Sequence, residues 1–317
     1  MGRMNDLASK GTPFIFIIDY DATQAFVEPT DTVDGSQCLY LFNGNGNGQG
    51  FKPLPEGALW KPQPPTYEAY AKAFATVRDN IMRGNSYLAN LTFRVPVDTD
   101  MSLRDIYMAA SAPYKLWLRD RLVCFSPEKF LQIKDRRISS FPMKGTADAS
   151  QPGAETALMA DRKEAAEHAT IVDLIRNDLS IVASQVSVSR YRYVERLHTN
   201  RGDLLQTSSE VTGLLPDDYQ NRMGDIIFSQ LPAGSITGAP KRKTVEIISE
   251  AETYRRGFYT GVMGLCTGAT LDSAVMIRFA DIEDGQTFFK AGGGITSQSN
   301  CPSEYQELIN KVYVPIR

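Results

Sequence analysis

The chain has 317 residues, of which 42% are hydrophobic and 22% are charged. These values are ordinary for a globular protein, so they argue against an intrinsically disordered chain and against a membrane protein. The 34 basic and 37 acidic residues give a net charge of -3, and no Lys/Arg tract is present. Nucleic acid is therefore not an expected partner.

The cysteines and the N-terminus indicate the cellular compartment. The four cysteines are far apart without a CxxC pair, and only two histidines are available, so we expect no structural zinc site. The N-terminus has no apolar signal region, and the apolar run at residues 14–19 is too short to span a bilayer. We therefore expect a cytoplasmic protein with reduced thiols and no membrane partner.

The first third of the chain reads as strands and loops followed by one helix. Residues 14–18 and 39–42 have strand character, and the Asn/Gly run at residues 43–50 predicts a solvated loop. From Tyr67 onward, apolar residues recur at helical spacing as far as Ile81, and Gly84 supplies a stop. The pattern predicts a core helix in this region.

The middle of the chain predicts antiparallel strands and then a long helix. Short apolar or alternating runs at residues 121–141 are broken at Pro127 and at residues 135–137. Residues 161–182 then carry an apolar stripe, and Asp161 with Glu164 resembles a capping box.

The last third predicts a second group of strands between two helices. Residues 259–266, 271–279 and 287–291 are joined by short turns, which indicates an antiparallel meander. Helices are predicted at residues 243–251 and 303–312. Strands linked as hairpins, together with separate helices, favour an α+β fold over a doubly wound parallel sheet.

Three carboxylates fall on faces of these helices where chemistry is possible. Glu167 lies on the apolar stripe of the long helix, where a buried carboxylate would need a partner. Glu304, Glu307 and Lys311 share one face of the final helix. Taken alone, Glu167 is typical of a salt-bridged edge residue, and the other three are typical of a solvated charge ladder.

Two glycine-bearing segments suggest close approach of a ligand to the backbone. The sequence AGGGI at residues 291–295 ends an apparent strand, and GSITGAPK at residues 234–241 has amides that could hold an anion. The second segment does not have the spacing of a Walker A loop, which disfavours nucleotide binding.

Glu128 and Lys144 bracket a predicted strand pair. A lysine in a partly desolvated pocket can act as a nucleophile, and a neighbouring glutamate can act as a general acid. Taken alone, each residue is more typical of a surface charge.

Seven sequence runs resemble those of chorismate-utilising enzymes and occur in the same order. They are GNSYLANLT (84–92), SPE (126–128), MKGT (143–146), IVDLIRNDL (171–179), GSITGAPK (234–241), LDSAVMIR (271–278) and AGGGI (291–295). The resemblance begins near residue 83 and covers about three quarters of the chain. It implies one catalytic domain over residues 1–317, with a shortened part at 1–82, and two lobes with antiparallel sheets around a central cleft.

Within that family, two positions distinguish the reactions. Anthranilate synthases typically carry Ala where this chain has Lys144, whereas aminodeoxychorismate synthases carry Lys, and the sequence resembles the latter. Isochorismate and salicylate synthases carry a water-activating Lys where this chain has Leu88. The resemblance thus implies amination of chorismate at carbon 4 to 4-amino-4-deoxychorismate, a precursor of 4-aminobenzoate and folate.

The resemblance also implies roles for individual residues. Lys144 would attack the ring and Glu128 would protonate the leaving hydroxyl. Mg²⁺ would be held by Glu167, Glu304 and Glu307. Substrate contacts would come from Gly145, Thr146, Thr237, Tyr259, Arg278, Gly293 and Lys311. Ammonia would come from a separate glutamine amidotransferase subunit, because the chain lacks the Cys-His-Glu arrangement of such a domain.

The chain departs from the family pattern at several points. Gln206 occupies the position of a family His, His198 lies nearby as an expected surface residue, and residues 147–148 are not basic. The shorter N-terminal part implies that the tryptophan-binding pocket of long relatives is absent or incomplete. Anthranilate synthase and a non-catalytic chorismate-binding protein stay as alternatives to the amination.

Overall fold

The computed structural model describes residues 1–199 and 202–315, without the side chains of residues 163 and 197–199. The side chain of His198, expected at the surface, thus lies outside the described residues. No helix in the described ranges is both long enough and apolar enough to cross a membrane.

The helices are α1 (Gly2–Ser9), α2 (Tyr67–Met82), α3 (Leu103–Ala109), α4 (Ala154–Ala160), α5 (Arg162–Ser180), α6 (Met223–Ser229), α7 (Lys241–Ala251) and α8 (Cys301–Lys311). Two short 3-10 helices lie at Tyr219–Arg222 and Gly234–Ile236.

The strands before residue 141 are β1 (Phe14–Ile18), β2 (Ala25–Pro29), β3 (Cys38–Phe42), β4 (Trp60–Pro62), β5 (Leu88–Thr99), β6 (Tyr114–Leu118), β7 (Leu122–Ser126), β8 (Lys129–Lys134) and β9 (Arg137–Ser140). Those after it are β10 (Met143–Asp148), β11 (Ser184–Thr199), β12 (Gly202–Leu214), β13 (Gly238–Ala239), β14 (Val262–Cys266), β15 (Leu271–Val275), β16 (Phe279–Glu283) and β17 (Gln286–Ile295).

Two antiparallel sheets carry the fold, as the α+β prediction requires. The first sheet has the order β10-β12-β9-β8-β15-β14-β1-β2, with β11 added on β12. The second has the order β13-β5-β17-β16-β7-β6-β3, with β4 paired to β5. Strand β1 pairs along its whole length with β14, so the N-terminal part of the chain is built into the first sheet.

The alternation of side chains in β1 shows how the layers pack. Phe14, Phe16 and Ile18 belong to a core shared with α1, α5 and α6, whereas Ile15 and Ile17 belong to a core shared with the second sheet. Because successive strand residues point to opposite faces, the two sheets stack on each other with helices outside the first. A third core covers the outer face of the second sheet with α2, α3, α7 and α8.

The predicted helices are confirmed, and so is the start signal predicted at Asp161. Thr66 caps α2 through a bond from the Ala69 amide, and Asp161 caps α5 by accepting from the Glu164 amide at 3.0 Å. Side-chain oxygens at these positions satisfy amides that the helix leaves without partners. The cap on α5 fixes the start of the helix that carries Glu164 and Glu167.

The two hairpins of the meander predicted at residues 259–291 are confirmed, as β14 with β15 and β16 with β17, but the single middle strand predicted at residues 271–279 is wrong. Strand β15 ends at Val275, and the chain then crosses from the first sheet to the second, where Phe279 begins β16. Arg278 in the crossover adopts a left-handed φ of 54°. The apolar residues continue through the crossover, so the sequence shows no break there. Strand preference does not reveal which sheet a residue joins. The crossover brings Ile277 and Arg278 to the cavity described next.

Candidate active site

A cavity of about 890 Å³ is lined by elements of both sheets and by α5 and α8. It brings together most of the residues that the sequence singles out, although they are spread over 184 positions from Glu128 to Lys311. The predicted residues that line it are Glu128, Lys144, Gly145, Thr146, Glu167, Tyr259, Arg278, Gly293, Glu304, Glu307 and Lys311. A pocket of this size, with convergent charged groups, is typical of a small-molecule site.

A β-bulge aims Lys144 into the cavity. The pairing of β10 with β12 shifts register between Lys144 and Thr146, and Gly145 there has a φ of 77°. Thr207 on β12 donates a hydrogen bond to the carbonyl of Lys144. Bulges bend a strand and redirect its side chains, and the positive φ favours glycine at this point. The cavity therefore receives the lysine from a fixed stretch of backbone.

Glu128 lies in the short link between β7 and β8, and its amide donates to the Ser126 hydroxyl at 3.1 Å. Burial raises the pKa of the Glu128 carboxyl above its usual value, while a hydrogen bond from Ser235 and the charges of Lys144 and Lys311 oppose that rise. A carboxyl with a raised pKa keeps its proton closer to neutral pH, as a general acid must.

Helices α5 and α8 present four glutamates to the cavity: Glu164, Glu167, Glu304 and Glu307. The two glutamates on each helix have i, i+3 spacing, so they share one face of that helix. Thr296, just beyond β17, donates to Glu167 at 3.4 Å. Oxygen donors of this kind suit Mg²⁺. The described residues contain no grouping of three or more His, Cys, Asp or Glu side chains that could hold a metal ion, so Mg²⁺ stays a prediction.

Cationic groups lie in the same cavity near the end of α8. Arg278 stacks over the Tyr313 ring at 4.6 Å and donates to the Lys311 carbonyl at 3.3 Å. Lys311 donates to the Gly292 carbonyl at 2.9 Å and pairs with Glu307. These contacts hold two positive charges in place, and guanidinium and ammonium groups are the common partners of carboxylates.

One wall of the cavity is main chain. Gly292, Gly293 and Gly294 lie within β17, paired with β5, and all three line the cavity. A Cβ on Gly294 would lie 3.0 Å from the Lys144 Nζ, and one on Gly293 would lie 3.3 Å from the Glu307 Oε1. The absence of side chains at these two positions therefore leaves room for the amine and the carboxylate.

The structure does not bring Thr237 to the cavity, although the sequence places a substrate contact there. Its side chain is fully buried, and its hydroxyl donates to the Ala233 carbonyl at 2.8 Å. Ser235 and Ile236, from the same loop, line the cavity instead. The preceding 3-10 turn sets which of these side chains faces inward, and glycine-rich sequence does not reveal that choice.

Glu164 is a cavity residue that is visible in the sequence only as part of a helix cap. A Cβ on Gly145 would lie 3.1 Å from its Oε2, which places the carboxylate beside the bulge that carries Lys144. Its i, i+3 spacing from Glu167 is the signal that could have found it.

Gln206 also lines the cavity, directly opposite Thr146 in the pairing of β12 with β10. Its Oε1 is buried and has no hydrogen-bond partner among the described residues. The sequence identifies this position only as a departure from the family pattern.

Behind the cavity lies a closed ion-pair cluster, here called the Arg256 cluster, made of Arg256, Glu252 and Thr92. The Arg256 guanidinium binds both oxygens of Glu252, at 2.6 and 2.9 Å, and each side chain is 2% exposed. Thr92 donates to Glu252 from its amide at 2.9 Å and from its hydroxyl at 2.7 Å. Arg256 also donates to the carbonyls of Asn90 and Ile236, which line the cavity.

Comparison with known proteins identifies the family. A family profile described as chorismate binding enzyme matches residues 46–317. The chain belongs to this family. It is therefore an enzyme that acts on chorismate, as the resemblance at the sequence level implies, and the cavity is its candidate active site.

Two curated relatives cover almost the whole chain. An uncharacterised "PabA-like" protein of Haemophilus influenzae is 45% identical over 99% of this chain and 95% of its own length. One from Pasteurella multocida is 46% identical over 99% and 97%. An anthranilate synthase component 1 of Arthrobacter globiformis is 37% identical, but over 62% of this chain and 37% of its own length.

Solved structures share the fold. Anthranilate synthase component I from Streptococcus pneumoniae superposes with a TM-score of 0.67 at 27% identity, over 80% of this chain and 58% of that chain. The isochorismate synthase MenF of Escherichia coli gives a TM-score of 0.75 over 96% and 78%, at 18% identity. The predicted chorismate-utilising fold is confirmed.

Proposed function

We propose that the chain is an aminodeoxychorismate synthase, which replaces the hydroxyl on carbon 4 of chorismate by an amino group from ammonia. The observation that carries this proposal is the amine of Lys144 inside the cavity, close enough to Gly294 that a methyl group there would lie 3.0 Å from Nζ. Glu128 is close enough to Lys144 for the positive charge of the lysine to lower the pKa of its carboxyl, which burial raises. A lysine beside a carboxyl with a raised pKa pairs a nucleophile with an acid.

The first displacement uses both residues. The lone pair of the Lys144 nitrogen forms a bond to carbon 2 of the ring, the two ring double bonds shift, and the bond between carbon 4 and its hydroxyl breaks. Glu128 gives its proton to that oxygen, so water leaves. The new ammonium on Lys144 then loses one proton to water, which leaves a secondary amine joined to carbon 2.

The second displacement reverses the shift of the double bonds. Ammonia forms a bond to carbon 4, the electrons return through the ring, and the bond between Lys144 and carbon 2 breaks as the lysine nitrogen takes up the proton that the new nitrogen on carbon 4 releases. Lysine, glutamate and cavity return to their starting states once Glu128 is protonated again. No external oxidant or reductant is needed, because nitrogen replaces oxygen at one carbon.

The substrate is a dianion, and the cavity offers charges for both of its carboxylates. Arg278 and Lys311 would hold one carboxylate through charge-assisted hydrogen bonds. Mg²⁺ commonly uses one or two protein carboxylates together with water and substrate oxygens, and Glu167, Glu304 and Glu307 are the carboxylates from which these protein ligands would come. When bound, Mg²⁺ would offset the negative charge of the ring carboxylate.

Ammonia would be supplied by a glutamine amidotransferase subunit. This partner is part of the proposal because the resemblance at Lys144 is to enzymes that receive ammonia from such a subunit. The two near full-length relatives are named "PabA-like", which is compatible with a role in making 4-aminobenzoate.

Anthranilate synthase is the second candidate function, since curated relatives of that name match the chain. That reaction puts nitrogen on carbon 2 and releases pyruvate. A lysine that must itself occupy carbon 2 leaves no place for ammonia there, which favours amination at carbon 4. A non-catalytic chorismate-binding protein is a third possibility, but binding alone requires no nucleophile.

The test is a product assay with purified protein, chorismate, Mg²⁺ and an ammonium salt. We expect a product that a separate lyase converts to 4-aminobenzoate. Anthranilate or salicylate as the only product would overturn the proposal. Chorismate that binds but stays unchanged, even with an amidotransferase and glutamine present, would support the non-catalytic alternative.

A further inference from the structure

The loop at residues 43–48, here called the edge loop, has the sequence NGNGNG and follows β3, the last strand of the second sheet. It folds back along the free edge of β3. Phe42 and Asn45 exchange backbone hydrogen bonds of 2.8 and 2.9 Å, and the Gly48 amide donates to the Tyr40 carbonyl at 3.0 Å. The edge loop thus satisfies backbone groups that an edge strand otherwise leaves open to pairing with another chain.

Close contact with β3 accounts for two glycines of the edge loop. A Cβ on Gly46 would collide with the Tyr40 carbonyl oxygen, and one on Gly48 would collide with the Tyr107 hydroxyl. Only a residue without a side chain fits at these positions. The resulting sequence contains three Asn-Gly pairs, in which the glycine nitrogen is unshielded and can reach the side-chain carbonyl carbon of the asparagine before it.

An Asn-Gly pair can react within itself. The glycine nitrogen forms a bond to the asparagine Cγ, its proton goes to the side-chain nitrogen, and ammonia leaves, which closes a cyclic succinimide. Water then opens the ring. Attack of water at Cγ restores the main chain and gives aspartate, whereas attack at the main-chain carbonyl gives isoaspartate, in which the main chain passes through Cγ. No oxidant or reductant takes part.

Asn43 cannot react in this way without breaking a hydrogen-bond network. Its Nδ2 donates to the Tyr114 hydroxyl at 2.8 Å and to the Asp272 carboxylate at 2.7 Å. The same hydroxyl donates to that carboxylate at 2.6 Å. The nitrogen that would leave is therefore held by two partners, which are also bonded to each other.

Asn47 is restrained at both ends of its amide. Its Oδ1 accepts from the Tyr40 amide, and its Nδ2 donates to the Cys38 carbonyl, each at 3.0 Å. The nitrogen that would attack is that of Gly48, which donates to the Tyr40 carbonyl. Both reacting groups are therefore engaged in hydrogen bonds.

Asn45 differs from both. It is exposed, and neither its side chain nor the Gly46 amide has a hydrogen-bond partner among the described residues. The backbone bridge to Phe42 is its described restraint. We propose that Asn45 is a modification site, at which the Gly46 nitrogen displaces ammonia and the folded protein acquires aspartate or isoaspartate.

Isoaspartate at position 45 changes the fit of the edge loop. It adds one main-chain carbon next to Gly46, where the contact with Tyr40 has no room even for a Cβ. We expect the edge loop to lift from β3, which frees the amides of Tyr40 and Phe42 from their partners in it. Aspartate keeps the length of the main chain and should leave the edge loop in place.

The test follows the three asparagines in one sample. The purified protein is incubated in mildly alkaline buffer, and peptide mapping by mass spectrometry measures aspartate and isoaspartate at each position over time. Conversion at Asn45 should be faster than at Asn43 or Asn47 by about tenfold or more, because at least two hydrogen bonds must break first at those positions. In the chain unfolded in urea, the three rates should become similar. Absence of conversion at Asn45, or equal conversion of all three in the folded protein, would overturn the proposal.

Two variants separate the chemistry from the fold. Asn45→Gln keeps an exposed amide whose longer side chain closes the ring poorly, so the edge loop should stay unmodified at the wild-type melting temperature. Asn45→Asp has the charge of the modified protein with an unaltered main chain. Hydrogen exchange of the Tyr40 and Phe42 amides should be accelerated in incubated wild type that contains isoaspartate and remain slow in Asn45→Asp. Slow exchange in both would refute the lifting of the edge loop.

The proposal is independent of the reaction in the cavity. None of residues 43–48 lines the cavity. The product assay therefore decides the proposed function, and the peptide map decides the modification of Asn45, whichever way the other result falls.

Discussion

The Arg256 cluster and the cavity are both rich in charge, but they use it differently. In the cluster, Arg256 and Glu252 bind each other, Arg256 also donates to two backbone carbonyls, and each side chain is only 2% exposed. In the cavity, Lys144 and Glu128 face an open volume of about 890 Å³, and the acceptor of Gln206 has no partner within the described chain. The comparison indicates that the first arrangement stabilises the fold, whereas the second is kept for a ligand at some cost in stability.

The sharpest test of this difference is Lys144→Ala. We expect amination at carbon 4 to fall by about 10⁴-fold or more, because the attacking atom is removed. Any residual product should carry nitrogen on carbon 2. Steady-state product analysis measures both. The free energy of unfolding should change by less than about 0.5 kcal/mol.

The matched control is Lys134→Ala, which removes an exposed lysine at the end of β8. It should retain full activity. Full activity in Lys144→Ala would contradict the covalent role, because loss of the cavity lysine would then have no more effect than loss of the exposed Lys134.

The converse change is Glu252→Ala in the Arg256 cluster. It leaves a buried guanidinium without its anion, so the free energy of unfolding in urea should fall by about 3–5 kcal/mol. Replacing both members, as Glu252→Leu with Arg256→Met, should recover part of that loss because no charge is left buried alone. A loss below about 1 kcal/mol for the single change would mean that the cluster is not the stabilising region.

Glu128→Gln is expected to reduce the rate of amination by about a hundredfold, the lower end of what general acid catalysis contributes. Because only the protonated acid can act, the wild-type rate should fall as the pH rises through the pKa of Glu128, which burial raises. The variant should lose this limb of its pH profile, measured as kcat/KM against pH.

Stability gives a second measure at the same residue. A carboxyl whose pKa is raised by folding stabilises the protein fully at low pH and loses that contribution as the pH rises through the folded-state pKa. Glu128→Gln should therefore melt at a higher temperature than the wild type at pH 8, with a smaller difference at pH 4. A lower melting temperature of Glu128→Gln than of the wild type at pH 8 would show that Glu128 stabilises the fold, as the Arg256 cluster is expected to do.

Gly294→Ala tests the fit between the two walls of the cavity. The added methyl would lie 3.0 Å from the Lys144 Nζ and 3.1 Å from Leu88, so the amine must shift. We expect kcat to fall by about tenfold, as misplacement of a reacting group does, with little change in melting temperature. Gly35→Ala, where the nearest side-chain atom would be 3.8 Å away, is the control. Equal kcat in both variants would show that Lys144 tolerates displacement.

Sequence predicted the parts of the molecule that local rules determine. The periodicity and cap of α5 give its bounds to within two residues, and the glycines of β17 signal close backbone approach. The crossover at Arg278 was not predicted from the sequence, because it depends on which sheet each strand joins. Ser235 was missed in favour of Thr237 because a turn decides which side chain points inward.

Within the site, the resemblance supplied Lys144 and Glu128, and the structure supplied their surroundings. The raised pKa of Glu128 depends on burial by segments far away in sequence, and so does the isolated acceptor of Gln206. Such features arise from the packing of distant elements, so no local pattern contains them. Glu164 is the exception, because its spacing from Glu167 was visible in the sequence.

The glycine wall also bears on how this cavity can be redesigned. A side chain introduced at Gly293 or Gly294 would intrude on the carboxylate of Glu307 or the amine of Lys144, and one at Gly292 would meet the backbone of Leu91. The facing strands β10 and β12 carry side chains that can be exchanged without altering the backbone. Libraries that seek new chorismate chemistry should therefore vary residues 144, 204 and 206 and hold the glycines fixed.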